Sequence, residues 1–279
     1  MRDIISYYFF LFVIYSFVGW VWESVFCSLY AEHRFINRGF LNGPYCPIYG
    51  TGAIFGLITL SGIENPILLF FAAAILTCTL EYFTSWAMEK LFHARWWDYS
   101  DEPLNINGRV YIGGFIAFGL GVVALIKVIN PFVTKLILRI PYNIFSGICA
   151  LLATVIVVDF AVTLSGLSGF GEKLRDLTAA LEGLKDTVSD KLDTVSGKLD
   201  SVTDRIQNSA PIETMKEAIT ASVPYEKATE LYDRFSDMLS TQQKRIMHAF
   251  PKMKSIRYTK AFSELKKHTL LKRSKASKK

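Results

Sequence analysis

The residues that usually announce a particular chemistry are thin in this chain. Its four cysteines, Cys27, Cys46, Cys78 and Cys149, form no CxxC pair and lie in or beside apolar segments, where reduced thiols pack as small hydrophobes. Its four histidines, His33, His93, His248 and His268, are scattered without an HExxH spacing, so no metal site is expected. No serine stands in a GxSxG setting. The run Gly166–Lys173 approaches a phosphate-binding loop, but Glu172 takes the position that needs lysine and no strand precedes it. Nucleotide hydrolysis by this chain and a bound cofactor are therefore not expected. A membrane enzyme working through acids and arginines alone stays open.

Acidic residues are nearly missing from one end. Residues 244–279 hold 13 lysines and arginines against the single acid Glu264, and the net charge of +6 belongs to that segment. Residues 170–243 have the opposite balance, 9 basic against 14 acidic. Like charge at this density resists collapse, which marks an appended tail.

The rest is apolar. Half of the chain is hydrophobic (51%) and the mean hydropathy is +0.27. A helix rises about 1.5 Å per residue, so roughly 20 apolar residues cross a hydrocarbon core about 30 Å thick. Five segments qualify, at about Ile4–Leu29, Pro44–Leu60, Pro66–Met88, Tyr111–Ile129 and Tyr142–Leu164. The first is too long for the apolar part of a cleaved leader and lacks a small-x-small site, so it is expected to remain as a span. The fold expected is all-α, a polytopic membrane bundle of about five spans over residues 1–168. A coiled-coil-like helix over 169–208 and a mostly polar tail over 209–279 with a basic end should follow.

Lysine and arginine in short loops mark the cytoplasmic side. Arg34 and Arg38 lie in the first connection, and Lys90, Arg95 and Arg109 in the third, whereas the second has none. The fourth, with Lys135 and Arg139, points the other way but is outvoted. The expectation is a multi-pass cell-membrane protein, N-terminus outside and C-terminus cytoplasmic.

Three acids interrupt the spans. Glu23, Glu81 and Asp159 each cost roughly 2–3 kcal/mol at mid-membrane unless paired, protonated or wetted. All three fall late in odd-numbered spans and should share the cytoplasmic half. The two loops richest in Gly, Asn and Pro, Asn37–Gly50 and Arg95–Arg109, emerge on the same side, which brings Arg38, Asn42, Asp98, Asn107 and Arg109 towards them. The functional reading is a polar cavity in which Arg38 and Arg109 face the acids. The plainer reading makes the acids structural partners of arginine and Trp96 and Trp97 interfacial anchors.

In the tail, Leu174, Leu177, Leu181, Leu184, Val188, Leu192, Val195, Leu199, Val202 and Ile206 recur at heptad-like steps, with the heptad itself repeated at 186–192, 193–199 and 200–206. This predicts a homo-oligomeric seam, or else a lone amphipathic helix. Ile246, Phe250, Met253, Ile256 and Phe262 interleave with lysine and arginine, as in a basic anchor on anionic membrane lipid, which is favoured over nucleic acid.

Span 1 ending in Gly19-Trp20-Val21-Trp22-Glu23, the loop Asn37–Gly50, and Trp97-Asp98-Tyr99-Ser100 followed by Asn105-Ile106-Asn107-Gly108-Arg109 together resemble the bacterial type IV ABC-transporter permease family, over about residues 5–165. The resemblance implies a transport role for a subunit that relies on a separate ATPase, with the loops between spans 1–2 and 3–4 as its docking surface. A lipid-handling protein or membrane enzyme built on the acid and arginine residues, and an oligomeric scaffold, are the alternatives.

Overall fold

The computed structural model describes residues 3–33, 35–92, 94–184, 227–256 and 258–276. Four helical rods among them are long and apolar enough to cross a membrane, beginning at Ile4, Pro66, Ile112 and Tyr142. The first comprises α1 (Ile4–Val21), a π turn at Trp22–Cys27 and α2 (Ser28–Glu32). The Asp3 carboxylate accepts from the Ser6 amide at 2.7 Å and caps its start. Helix α4 (Pro66–Phe92) begins with proline at its first position, and the Asn65 side chain caps the amides of Ile67 and Leu68 at 2.9 and 3.1 Å. The third rod joins α5 (Ile112–Ala124) to α6 (Asn130–Leu138) through a π turn at Leu125–Ile129. The last, α7 (Tyr142–Leu167), ends near Gly169, whose left-handed φ of +69° breaks the helix.

The second expected span is shorter than the other four. Helix α3 (Pro47–Leu60) has 14 residues, a rise of about 21 Å against a hydrocarbon core of about 30 Å. Extended chain precedes it and is bound to α1, where the Cys46 amide donates to the Ser16 carbonyl at 2.8 Å. The α1–α3 approach is close enough to require glycine. A Cβ on Gly50 would meet the Phe12 carbonyl oxygen at 2.5 Å, and one on Gly19 would meet the Tyr49 ring at 2.3 Å.

Leu11, Tyr15, Ala53, Leu57, Leu69, Ala73, Val122, Ile126 and Phe145 form the interior of the bundle. Large apolar side chains cover its outside, among them Ile75, Phe83, Leu151 and Val157. This distribution suits lipid, where the outer surface has no reason to be polar.

The chain divides into two compact units, one of residues 1–167 with 245–254 and the other of residues 168–244 with 255–279. The second unit contains α8 (170–184), α9 (227–238) and α11 (Thr259–Ala276). Helix α10 (Thr241–Ala249) spans the point where the chain passes into the first unit. Within the second unit Phe170 meets Phe262 edge-on at 6.0 Å, and Lys173 donates to the Met238 carbonyl and to Gln243. Leu174 and Leu177, which open the heptad pattern, are buried inside the folded chain. The pattern from Val188 to Ile206 lies outside the described residues. Of the apolar residues expected to face lipid, Ile246, Met253 and Phe262 are also buried, while Ile256 is exposed.

Candidate functional site

The loops at 33–46 and 93–111 meet at one end of the bundle, and the expected polar residues fall there into three groups. The first is built on Asp159, eight residues before the end of α7 and so about 12 Å inside that helix. Its carboxylate accepts from the Asn42 amide nitrogen (3.0 Å), the Asn42 side-chain amide (2.8 Å), the Gly43 amide (2.8 Å), the Tyr45 hydroxyl (2.5 Å) and the Thr163 hydroxyl one turn on (3.2 Å). Two consecutive backbone N–H groups and a phenol converge on this one carboxylate, and the Arg245 guanidinium lies within the field of its charge. The donors come from Asn42–Tyr45, so this acid draws the first loop into the bundle.

The second group lies on the third-to-fourth connection and α4. Arg109, 8% exposed, donates to Glu89 at 2.8 Å and lies over the Tyr82 ring at 5.1 Å. Arg95 shares the same Glu89 oxygen at 3.2 Å and donates to the Asn107 carbonyl. Asn107 and Gly108, both with positive φ (53° and 65°), make a tight hairpin turn closed by the Arg109 amide on the Ile106 carbonyl. Asp98, 5% exposed, accepts from the Ser100 hydroxyl at 2.6 Å and forms ion pairs with Arg95 and Lys254. Burial acts to raise the Asp98 carboxyl, but hydrogen bonds from Lys254 and Ser100 outweigh it and hold the group down at about 2. Trp96, expected as an interfacial anchor, is 1% exposed and is boxed edge-on by Phe40, Phe92 and Phe250 at 5.0–5.4 Å.

The third group contains Glu23 and Glu81. Glu23 sits in the π turn of the first rod, a distortion that recurs at functional sites, and its Oε1 accepts from the Tyr49 hydroxyl at 2.5 Å. Glu81 is 7% exposed, and its Oε2 is buried without a hydrogen-bond partner, as is the Ser85 hydroxyl one turn later. Tyr99 joins the two acids. Its phenol faces Glu81 and lies within the field of Glu23, and burial followed by these two charges drives it well above the ordinary phenol range. Its ring packs on Tyr111 at 4.6 Å. Glu81 lies eleven residues before Phe92, about 16 Å along α4, so the loop carrying Tyr99 folds back deep into the bundle.

Arg38 and Arg109 form no ion pair with these acids. No ion pair among the described residues involves Glu23, Glu81 or Asp159. Arg109 is directed to Glu89, while Arg38 fixes its loop through its backbone amide on the Ser24 hydroxyl (3.0 Å) and keeps its Nε buried without a partner. Sequence reasoning missed Glu89, Tyr49 and Tyr99 and treated Arg245–Lys254 as part of a lipid anchor, whereas Ser85 is on the polar stripe that Thr77 and Thr84 form beside Glu81. The Arg245 guanidinium donates to the carbonyls of Gly39 (2.9 Å), Phe40 (2.5 Å) and Leu41 (3.0 Å), and burial lowers its affinity for its proton. With Phe250 against Trp96, Lys252 on Glu102 and Lys254 on Asp98, this strap binds both loops.

Residues 10–164 match a protein-family model described as "Putative ABC-transporter type IV". No curated protein and no solved structure matches the chain. The matched range holds the spans and both loops, with every group described above except the strap.

Proposed function

The chain belongs to the type IV ABC-transporter family over residues 10–164, and from that premise we propose that it is the membrane-embedded subunit of a transporter whose ATPase is a separate chain. The observation that carries the reading is the coincidence of the family region with the whole polar machinery of the bundle. The sequence has no nucleotide-binding loop of its own, so the energy source is sought in a partner. Lysine and arginine in the first and third connections support a topology with the N-terminus outside and both polar loops in the cytoplasm. An ATPase would then meet the surface formed by loops 33–46 and 93–111, with the strap Arg245–Lys254 as part of the platform.

Gentle purification of the full chain from native membranes tests this. The expected result is an ATPase that accompanies the wild-type protein and is lost when the exposed Leu104 and Ile106 are replaced at the platform while membrane abundance is unchanged. Recovery of a stoichiometric lipid and no ATPase would contradict the reading and favour lipid handling. Impermeant thiol labelling of introduced cysteines should leave positions near 40 and 100 shielded in intact cells and positions near 63 reactive. The opposite pattern would invert the topology.

A further inference from the structure

Among the described residues, no ion pair reaches the intramembrane acids Glu23 and Glu81. Glu81 is buried about 16 Å along α4, with one oxygen facing no donor. The Ser85 hydroxyl, 1% exposed on the same helical face, is likewise without a partner. Glu23 approaches from the π turn of the first rod with its Oε1 held by Tyr49, and the field of its charge reaches Glu81.

Phenols and thiols face the pair from the packed elements. Helix α3 contributes the Tyr49 phenol, with the Cys46 thiol just ahead of it, and the 93–111 loop contributes the phenols of Tyr99 and Tyr111. The first rod adds the Cys27 thiol, and α4 adds the Cys78 thiol. Among the described residues the Arg38 guanidinium acts on Cys27 and Glu102 on Tyr111, while Arg109, over the ring of Tyr82 next to Glu81 in the chain, is paired with Glu89. A phenol or thiol can hydrogen-bond to a carboxylate but cannot cancel its charge.

Two carboxylates that share a low-dielectric site without a cation do not both ionise near neutrality, because each charge raises the cost of the other. The geometry points to a proton-binding centre inside the bundle, in which the buried Glu81, beside Ser85, holds a proton at neutral pH. The Oε2 of Glu81 receives no donor that would favour its anion, whereas the Oε1 of Glu23 already accepts the Tyr49 hydroxyl. Binding converts one carboxylate to the neutral acid, and release returns the proton to water with no other bond changed. Among the described residues no group of three or more His, Cys, Asp or Glu side chains could hold a metal ion, and a proton is the ligand that an unpartnered carboxylate oxygen binds without further donors. Tyr49 opens α3 and Tyr99 belongs to the loop bearing Asp98, so the charge state of the pair acts directly on both segments. The centre is a property of the bundle and does not depend on the ATPase reading.

Infrared spectroscopy of the full chain in lipid nanodiscs, titrated between about pH 5 and pH 9, reads the proton directly through the carbonyl stretch of a neutral carboxylic acid. The expected spectrum keeps such a band at neutral pH, loses it on alkaline titration, and lacks it in Glu81→Gln. A second variant guards against misfolding of the first. Glu23→Gln should retain the band but lose it at a pH lower by about one unit or more, since the repelling charge has gone. Absence of the band from the wild type at neutral pH would overturn the proposal, as would its survival in Glu81→Gln or an unchanged midpoint in Glu23→Gln. Loss of the band on adding sodium at fixed pH would assign the site to a metal cation and overturn it equally.

Discussion

Asp159 and Glu81 stand at similar depths in two long helices and meet opposite surroundings. Asp159 accepts five hydrogen bonds, four of them from the loop segment Asn42–Tyr45, and its charge is spread over donors already in place. Glu81 has Tyr99 on one side and nothing on its Oε2. A carboxylate with saturated lone pairs fixes a fold, because removing it leaves several buried donors unpaired. One left unsatisfied in the same bundle contributes little to the fold, and its retention calls for a functional explanation. The same residue class at the same depth thus serves two purposes, distinguished by its donors.

The largest effect is expected from breaking the satisfied member. Asp159→Asn turns an amide N–H₂ towards the Gly43 amide or the Tyr45 hydroxyl and should destabilise the bundle by about 3 kcal/mol, seen as lower membrane abundance. A smaller loss, about 1–2 kcal/mol, is expected for Arg245→Ala, because the carbonyls of Gly39, Phe40 and Leu41 lose a charged donor that partial hydration replaces. Hydrogen exchange should rise in residues 245–254 and in the first loop, with α4 around Glu81 unchanged; a rise at Glu81 as well would merge the two regions.

The smallest effect concerns Asp98. Its carboxyl is depressed from 3.8 to about 2 in the fold, so its stabilising contribution is fully present above the ordinary value and lost as pH falls through about 2. The acid limb of thermal stability should therefore flatten in Asp98→Asn, with no change near neutrality beyond that of the substitution itself. An acid limb that keeps its slope in Asp98→Asn would assign it to other groups.

Much of this was legible in the sequence. Segment lengths and hydropathy located the four long rods, and Pro66 opens both the third expected span and α4, whereas the second was expected from Pro44, three residues before α3 begins at Pro47. Asn107-Gly108 announced a left-handed turn, and the cost of intramembrane charge singled out Glu23, Glu81 and Asp159. Partners were harder to read. Glu89 lies in the last turn of α4, where an acid is ordinarily wetted, so nothing in the sequence distinguished it as the partner of Arg109. Arg245 reaches the Gly39 carbonyl across 206 positions, and backbone carbonyls carry no sequence signal. Periodicity shows that Leu174, Leu177, Ile246 and Phe262 need apolar cover, but it does not distinguish a second copy or lipid from the chain's own interior, where these four are buried.

The contrast between the two acids is tested most directly by the thermal unfolding midpoints of Asp159→Asn and Glu81→Gln, measured side by side with wild type in one detergent at neutral pH. Glu81→Gln keeps an acceptor for Tyr99 and loses no ion pair, so it should unfold within about 0.5 kcal/mol of wild type or later, while Asp159→Asn unfolds well before both. A midpoint for Glu81→Gln depressed as far as that of Asp159→Asn, or an Asp159→Asn protein as stable as wild type, would contradict the division of one acid for the fold and one for function.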